Sequence, residues 1–304
     1  MSRARIRAHL RRYGVPRQPA QRTASTPRRL PSGAASHLDP SPRSSSVWRR
    51  PAVRKAVIVA ALLVAWELAT RWTASPLLFP TAVSVLQAFG RSIVNGEVPG
   101  YAVQSLKVLL SGMAIGAALA LVLATVAVTT RLGADVLETL TAMFNPLPAI
   151  ALMPLALLWF GLGVKSVIFV VVHSVLWPMA LNTYTGFVAV PQTLRRVGQN
   201  FGLTGWRLVA GILLPAAFPY LLSGIKIGWA FAWRTIIAAE MVFGVAGSQG
   251  GLGWFIYQNR FEMNTDLVFA GLLTVIIIGL VVENLLFKWL ERRTVLRWGM
   301  TAAH

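Results

Sequence analysis

Hydrophobic positions in this chain gather into six long runs, at 56–72, 104–129, 137–160, 166–189, 219–243 and 267–290, with polar segments between them. Each run approaches or exceeds the roughly 20 apolar residues that cross a bilayer as a helix. The pattern therefore predicts an all-α membrane protein of six transmembrane helices. Between the first two runs, residues 73–103 hold Pro76, Pro80, Asn95, Gly96, Pro99 and Gly100, which breaks them into a connector with a short helix from Thr81 to Val94. The second run places Gly112, Gly116, Ala120 and Ala124 on one face, a spacing that allows close helix packing within the subunit or across a dimer. In the third run Pro146, Pro148 and Pro154 remove backbone donors and predict a broken helix, of the kind that lines a path. After the fifth, Gly244, Gly247, Gly250, Gly251 and Gly253 predict a flexible turn.

The polar segment Pro191 to Leu214 contains no acidic residue. Residues Gln192 to Phe201 can form a two-turn helix with Leu194, Val197 and Phe201 on an apolar side, at i, i+3 and i+7, and Arg195 and Arg196 beside it. Gly198 follows on the same helix and Gly202 is placed to end it. Leu203 and Trp206 come next, Trp206 suited to a membrane interface, and Pro215 is placed in the first turn of the fifth span. Such a helix either lies along the membrane surface or docks in a cleft of a partner.

Gly202 is followed, after nine residues, by Ile212-Leu213-Leu214-Pro215. This G-x9-I-x-L-P spacing resembles the cytoplasmic loop by which permease subunits of ATP-binding-cassette (ABC) importers dock onto their ATPases. The similarity runs over roughly 56–295 and includes Pro154 to Gly163, Leu181-Asn182-Thr183, Ala239-Glu240, Gly251-Leu252-Gly253 and Asp266-x-Val268-x-Ala270-Gly271. Together these resemble the nitrate, sulfonate, taurine and bicarbonate branch. Arg196-Val197-Gly198 stands where that family usually has Glu-Ala-Ala. The resemblance implies a type I importer permease that forms its pore as a homodimer, binds two cytoplasmic ABC ATPase subunits through the 191–214 loop, and receives substrate from a soluble extracytoplasmic binding protein. It implies alternating access. Asn145, Arg234 and Glu240 are then candidates for the translocation path.

Composition agrees with the membrane reading, with 55% hydrophobic and 13% charged residues. Basic residues sort by side: fourteen precede the first run, and Arg131, the loop and the last segment carry more on the same side, which predicts cytoplasmic termini in a plasma (inner) membrane. Of the net charge of +19, about two thirds lies in residues 1–55, a tail rich in Arg, Ser and Pro. That segment is expected to be disordered, to orient the chain and to touch anionic lipid, with no nucleic acid as partner. The domains expected are thus this tail at 1–55, a six-span permease domain at 56–295 and a cytoplasmic C-terminal tail at 296–304. Cysteine is absent, which excludes disulfides and thiolate metal sites.

Ionisable residues inside apolar runs are costly and therefore functional candidates: Glu67, His173, Lys226, Arg234, Glu240 and Glu283. Glu67 and Lys226 are near run ends and can reach the interface. Arg234 lies about 80° around the helix from Lys226, so that both can share one polar face suited to an anion; the alternative is a salt bridge from Arg234 to Glu240 or Glu283. His173 stands alone and is expected to be a packed polar residue, since no metal-ligand spacing surrounds it. No phosphate-binding G-x4-G-K-[ST], nucleophile elbow or paired carboxylates occur. The expectation is a transport subunit for a small anion such as nitrate, sulfonate, taurine or bicarbonate, not an enzyme, with no cofactor of its own and ATP bound by the partner. A stand-alone secondary transporter and a permease for a neutral or heterocyclic nutrient are the rival readings.

Overall fold

A computed structural model describes residues 51–73, 79–243 and 250–294. Residues 1–50 of the expected N-terminal tail, the expected C-terminal tail, and Gly244 and Gly247 lie outside them, whereas 51–55 fall in the first described helix. Contacts divide the chain into Met1–Arg54 and Lys55–His304, and the packing below belongs to the second unit. The described residues are helical throughout: α1 (Pro51–Thr73), α2 (Ala82–Val94), α3 (Glu97–Thr129), α4 (Arg131–Phe144), a 3-10 turn at Ala149–Leu152, α5 (Met153–Phe160) and α6 (Val164–Ala189). They continue with α7 (Gln192–Asn200), α8 (Gly205–Leu208), a π turn at Val209–Leu213, α9 (Leu214–Ala216), α10 (Phe218–Phe243), α11 (Leu252–Phe261), α12 (Thr265–Val281), a second π turn at Val282–Phe287 and α13 (Lys288–Arg293).

Three helices are long and apolar enough to cross a membrane, Glu97–Thr129, Val164–Ala189 and Thr265–Arg293, and the number rises to five if each of two bent pairs is one span. The first expected span coincides with α1, which is not among them. The broken third span is present, with α4 and the Ala149–Phe160 piece meeting at 90° across Pro146 and Pro148. A second bend, of 79°, separates Gly205–Ala216 from Phe218–Val242. Pro215 sits on the near side of that bend, in α9, so it precedes the fifth span instead of opening it. The connector expected up to residue 103 is shorter, because α3 starts at Glu97 and takes Pro99 into its first turn, where a missing N–H costs nothing. At 33 residues α3 is about 50 Å long and outruns the hydrocarbon thickness.

Helix α6 is the centre of the bundle, packed along α3 on one side and α10 on the other. Val170, Val171, Val175, Leu109, Trp229 and Ile236 fill the seam and are buried. The small face of α3 is consumed in that seam: a Cβ on Gly112 would lie 2.9 Å from Val171 Cβ, and one on Gly116 would lie 3.0 Å from Val175 Cβ. Close packing within the subunit thus accounts for the spacing, and this face is not free for a second copy. Helix α2 is capped twice, by Thr81 accepting from the Ser84 N–H at 3.1 Å and by Glu67 accepting from the Ala82 N–H at 2.9 Å. Glu67 also pairs with Arg71 at 2.9 Å, so it is a structural cap with partners, not an isolated snorkelling acid.

Candidate functional site

Three regions hold the residues singled out by the sequence, and they differ in how their polar groups are satisfied. In the 191–214 segment, α7 ends as expected. Gly202 adopts the left-handed conformation at φ 76°, where a side chain is disfavoured. The Gly202 N–H donates to Gln199 at 2.9 Å and the Leu203 N–H to Gly198 at 3.0 Å, the paired bonds of a Schellman cap. Gly198 is buried, and a Cβ there would lie 2.8 Å from Leu208 and 3.0 Å from Ile212, so α7 packs directly on the returning chain. Phe187, Val209, Leu213 and Ala217 form a small apolar cluster that fixes this return to the end of α6. Arg195 turns back and donates to the Phe187 carbonyl, which makes it an anchor and takes it off the outer face.

The outer face of α7 is bare. Leu194, Val197 and Phe201 are exposed, Phe201 at 82%, and Trp206 just beyond is 70% exposed. Arg196 stands exposed beside them. An apolar edge of this kind, on a helix locked from behind at Gly198 and Arg195, has the character of surfaces that meet other proteins.

Glu240, on α10, is 3% exposed and belongs to a closed network. The Ser105 hydroxyl of α3 lies 2.9 and 2.8 Å from its two carboxylate oxygens, and the Gly253 N–H donates to it at 2.9 Å. The Leu252 N–H donates to Ser105 Oγ at 2.8 Å. The carboxylate and hydroxyl together cap the first turn of α11, where a negative group meets the positive end of the helix. Gly251-Leu252-Gly253 is what allows this. A Cβ on Gly251 would fall on the Glu240 carboxylate, and one on Gly253 would lie 2.6 Å from Glu240 Cβ. Glu240 is therefore a lock joining α3, α10 and α11, and it is not among the residues that line the cavity described next.

That cavity, of about 460 Å3, lies between the α4–α5 bend, α6 and α10. It brings together Asn145 and Arg234, two of the three expected path residues, with Phe144, His173, Trp177 and Thr235. Arg234 makes no hydrogen bond or ion pair among the described residues, so the alternative of a bridge to Glu240 or Glu283 is not what the structure shows. Lys226 does not share its face with Arg234 toward the cavity. It pairs with Glu291 of α13 at 2.6 Å. His173 is packed as expected, edge-on against Phe144 and Trp177, but neither of its ring nitrogens has a hydrogen-bond partner among the described residues, nor does Trp177 Nε1. Sequence reasoning missed Trp177 and Ser105. A tryptophan in an apolar run carries no polar signal, and Ser105 is 135 residues from Glu240.

Comparison with known proteins places these features in a family. Residues 112–296 match the model of the binding-protein-dependent transport system inner membrane component. A putative ABC transporter permease protein of Methanocaldococcus jannaschii is 29% identical over 236 residues, covering 76% of this chain and 87% of that protein. The taurine transport system permease protein of Escherichia coli is 30% identical over 264 residues, 81% of this chain and 91% of its own length. The nitrate import permease protein of Synechocystis is 30% identical over 246 residues, with 78% and 86% covered. The chain belongs to the binding-protein-dependent transport system inner membrane components, the permease family of ABC importers.

Proposed function

We propose that the chain is the pore-forming subunit of an ATP-driven importer for a small anion, of the class that includes nitrate, sulfonates, taurine and bicarbonate. The observation that carries this reading is Arg234. It is a cation without a partner among the described residues, lining a cavity beside a broken helix in a chain whose relatives include nitrate and taurine permeases. In a passage of low dielectric one fixed positive charge lowers the cost of an entering anion by far more than it would in water. Asn145 and Thr235 add hydrogen-bonding groups at the same cavity.

Two copies of the chain form the pore, and each presents α7 to a separate cytoplasmic ATPase. Leu194, Val197, Phe201 and Trp206 enter the ATPase cleft, with Arg196, Gly202 and Leu203 at its edge. Arg195, Gly198 and Pro215 hold the segment from behind. Closure of the ATPases on ATP draws the two α7 helices together, and α6, tied to the loop through Phe187, passes that movement to the bundle. The cavity then opens outward to a soluble binding protein. ATP is bound and hydrolysed by the partner, and this chain needs no cofactor. Both termini are cytoplasmic, and the basic tail lies against anionic lipid.

The reading is tested by reconstituting the chain with its ATPase in proteoliposomes. Uptake of a radiolabelled anion is expected to require internal-facing ATP and to survive collapse of ion gradients. Uptake that persists without ATP and stops when the gradient is removed would make the chain a secondary transporter.

A further inference from the structure

The last span meets the bilayer more openly than the others. Helices α12 and α13, with the π turn between them, run for 29 residues from Thr265 to Arg293. Only 17% of the apolar stretch is buried, against 33% for α3 and 44% for α6, so most of its side chains meet lipid. At 1.5 Å per residue the span is about 44 Å long, close to the roughly 40–45 Å of a bilayer with its headgroups. With Asp266 at one headgroup level, the α13 end lies at the other.

At that end Asn284, Lys288 and Arg292 are exposed and line one shallow groove. The Lys288 ammonium donates to Asn284 at 2.7 Å, which keeps it on this strip of the helix. Arg292 has no hydrogen bond or ion pair among the described residues. Val281, Leu285 and Trp289 complete the groove; Leu285 is 65% exposed and Trp289 54%. Arg293 lies over the Trp289 ring at 5.3 Å. No acid lines the groove: Glu291 is taken by Lys226 of α10 at 2.6 Å, and Glu283 is not among the lining residues. Cations one helical turn apart repel each other, and no described residue neutralises this pair.

Polarity along the groove is ordered. Val281 and Leu285 lie toward the membrane centre, and Lys288 and Arg292 toward water, with about 10 Å of helix between Leu285 and Arg292. A phospholipid has the same order, acyl chain and then phosphate. A second copy packed symmetrically on this face would set the same cations against one another, and a partner in water reaches only the basic half. We propose that the α13 end is a binding site for an anionic phospholipid. Its phosphate takes Lys288 and Arg292, and its acyl chain lies along Val281, Leu285 and Trp289. A lipid seated there steadies α13 and, through the Lys226–Glu291 pair, α10, the helix that carries Arg234. The inference is independent of the anion reading and needs only the membrane placement of the last span.

The test is quenching of Trp289 fluorescence in the full chain, reconstituted in phosphatidylcholine vesicles that carry a small fraction of brominated phosphatidylglycerol or, for comparison, brominated phosphatidylcholine. The difference between each chain and its Trp289→Phe counterpart isolates the Trp289 signal. The anionic lipid is expected to associate at least about fivefold more strongly than the zwitterionic one, the factor that one basic residue contributes at a membrane surface. Lys288→Gln combined with Arg292→Gln is expected to bring the ratio close to unity. Arg131→Gln, an exposed basic residue at the start of α4, is expected to leave it unchanged. A ratio near unity in the parent chain, or a preference that the double variant retains, would overturn the site and leave only the general attraction of a basic chain to an anionic surface. Trp289 shielded from both lipids would overturn it in favour of a covering protein. The comparison of the two lipids on the parent chain stands even where the double variant folds poorly.

Discussion

Arg234 and Glu240 occupy the same helix, six residues and about 9 Å apart, on faces about 120° from one another. Glu240 is enclosed and its oxygens meet a hydroxyl and a backbone N–H, whereas Arg234 faces a cavity with no partner among the described residues. The pair at Arg195 and Arg196 repeats the contrast in the loop: Arg195 is spent on the Phe187 carbonyl, and Arg196 stands exposed with no ion pair among the described residues. Satisfied groups build the scaffold, and on the function proposed above the unsatisfied ones are left for what binds it. Charge inside a span is therefore not by itself a sign of a transport role.

The largest effect should come from breaking the satisfied side. In Gly253→Val the new side chain collides with Glu240 and the Ile237 carbonyl, and the α11 cap opens. Overpacking and the stranded carboxylate together are expected to cost about 3 kcal/mol or more, read as loss of folded protein on size-exclusion chromatography and a lower melting temperature. A variant of ordinary stability would show that the glycine turn does not depend on close approach to Glu240.

Gly202→Val comes next. It forces a β-branched residue to a φ of 76°, at a cost of about 1–2 kcal/mol, and displaces the end of α7. ATP hydrolysis by the reconstituted complex should persist while uptake falls, since the docking edge remains but no longer transmits movement rigidly. Unchanged uptake would remove Gly202 from the coupling device. A smaller effect is expected at Arg196, on the exposed side of α7. Because Arg196 is exposed and has no ion pair among the described residues, an acidic or carbonyl partner on the ATPase is expected, and Arg196→Glu should weaken copurification of the ATPase about tenfold. Tighter assembly with Glu would contradict that polarity.

Much of the architecture was legible because the bilayer imposes a length on each helix. The runs at 166–189 and 219–243 reappear within two residues as α6 and α10. The stop at Gly202 was legible because a helix end requires local chemistry, and the α4–α5 break because prolines mark it. What escaped depends on distance along the chain. The Ser105–Glu240 contact joins residues 135 apart, and nothing local reveals that Gly251 and Gly253 are there to admit a carboxylate. A turn expected to be merely flexible opens the unpredicted helix α11. Periodicity placed Lys226 and Arg234 on one face but could not see Glu291, which takes Lys226 away. His173 gave no spacing signal, and its place among the residues around the cavity emerges only when α4, α6 and α10 come together.

Arg234→Gln tests the central claim most directly, with melting temperature and ATP-dependent uptake of a radiolabelled anion measured on the same reconstituted preparation. Because Arg234 holds no partner among the described residues, the melting temperature should stay within error of the parent while uptake falls at least about tenfold, as expected when a charged contact to the passing anion is lost. A stable variant with full uptake would remove the anion path from Arg234, and an unstable one would make it a structural residue like Glu240.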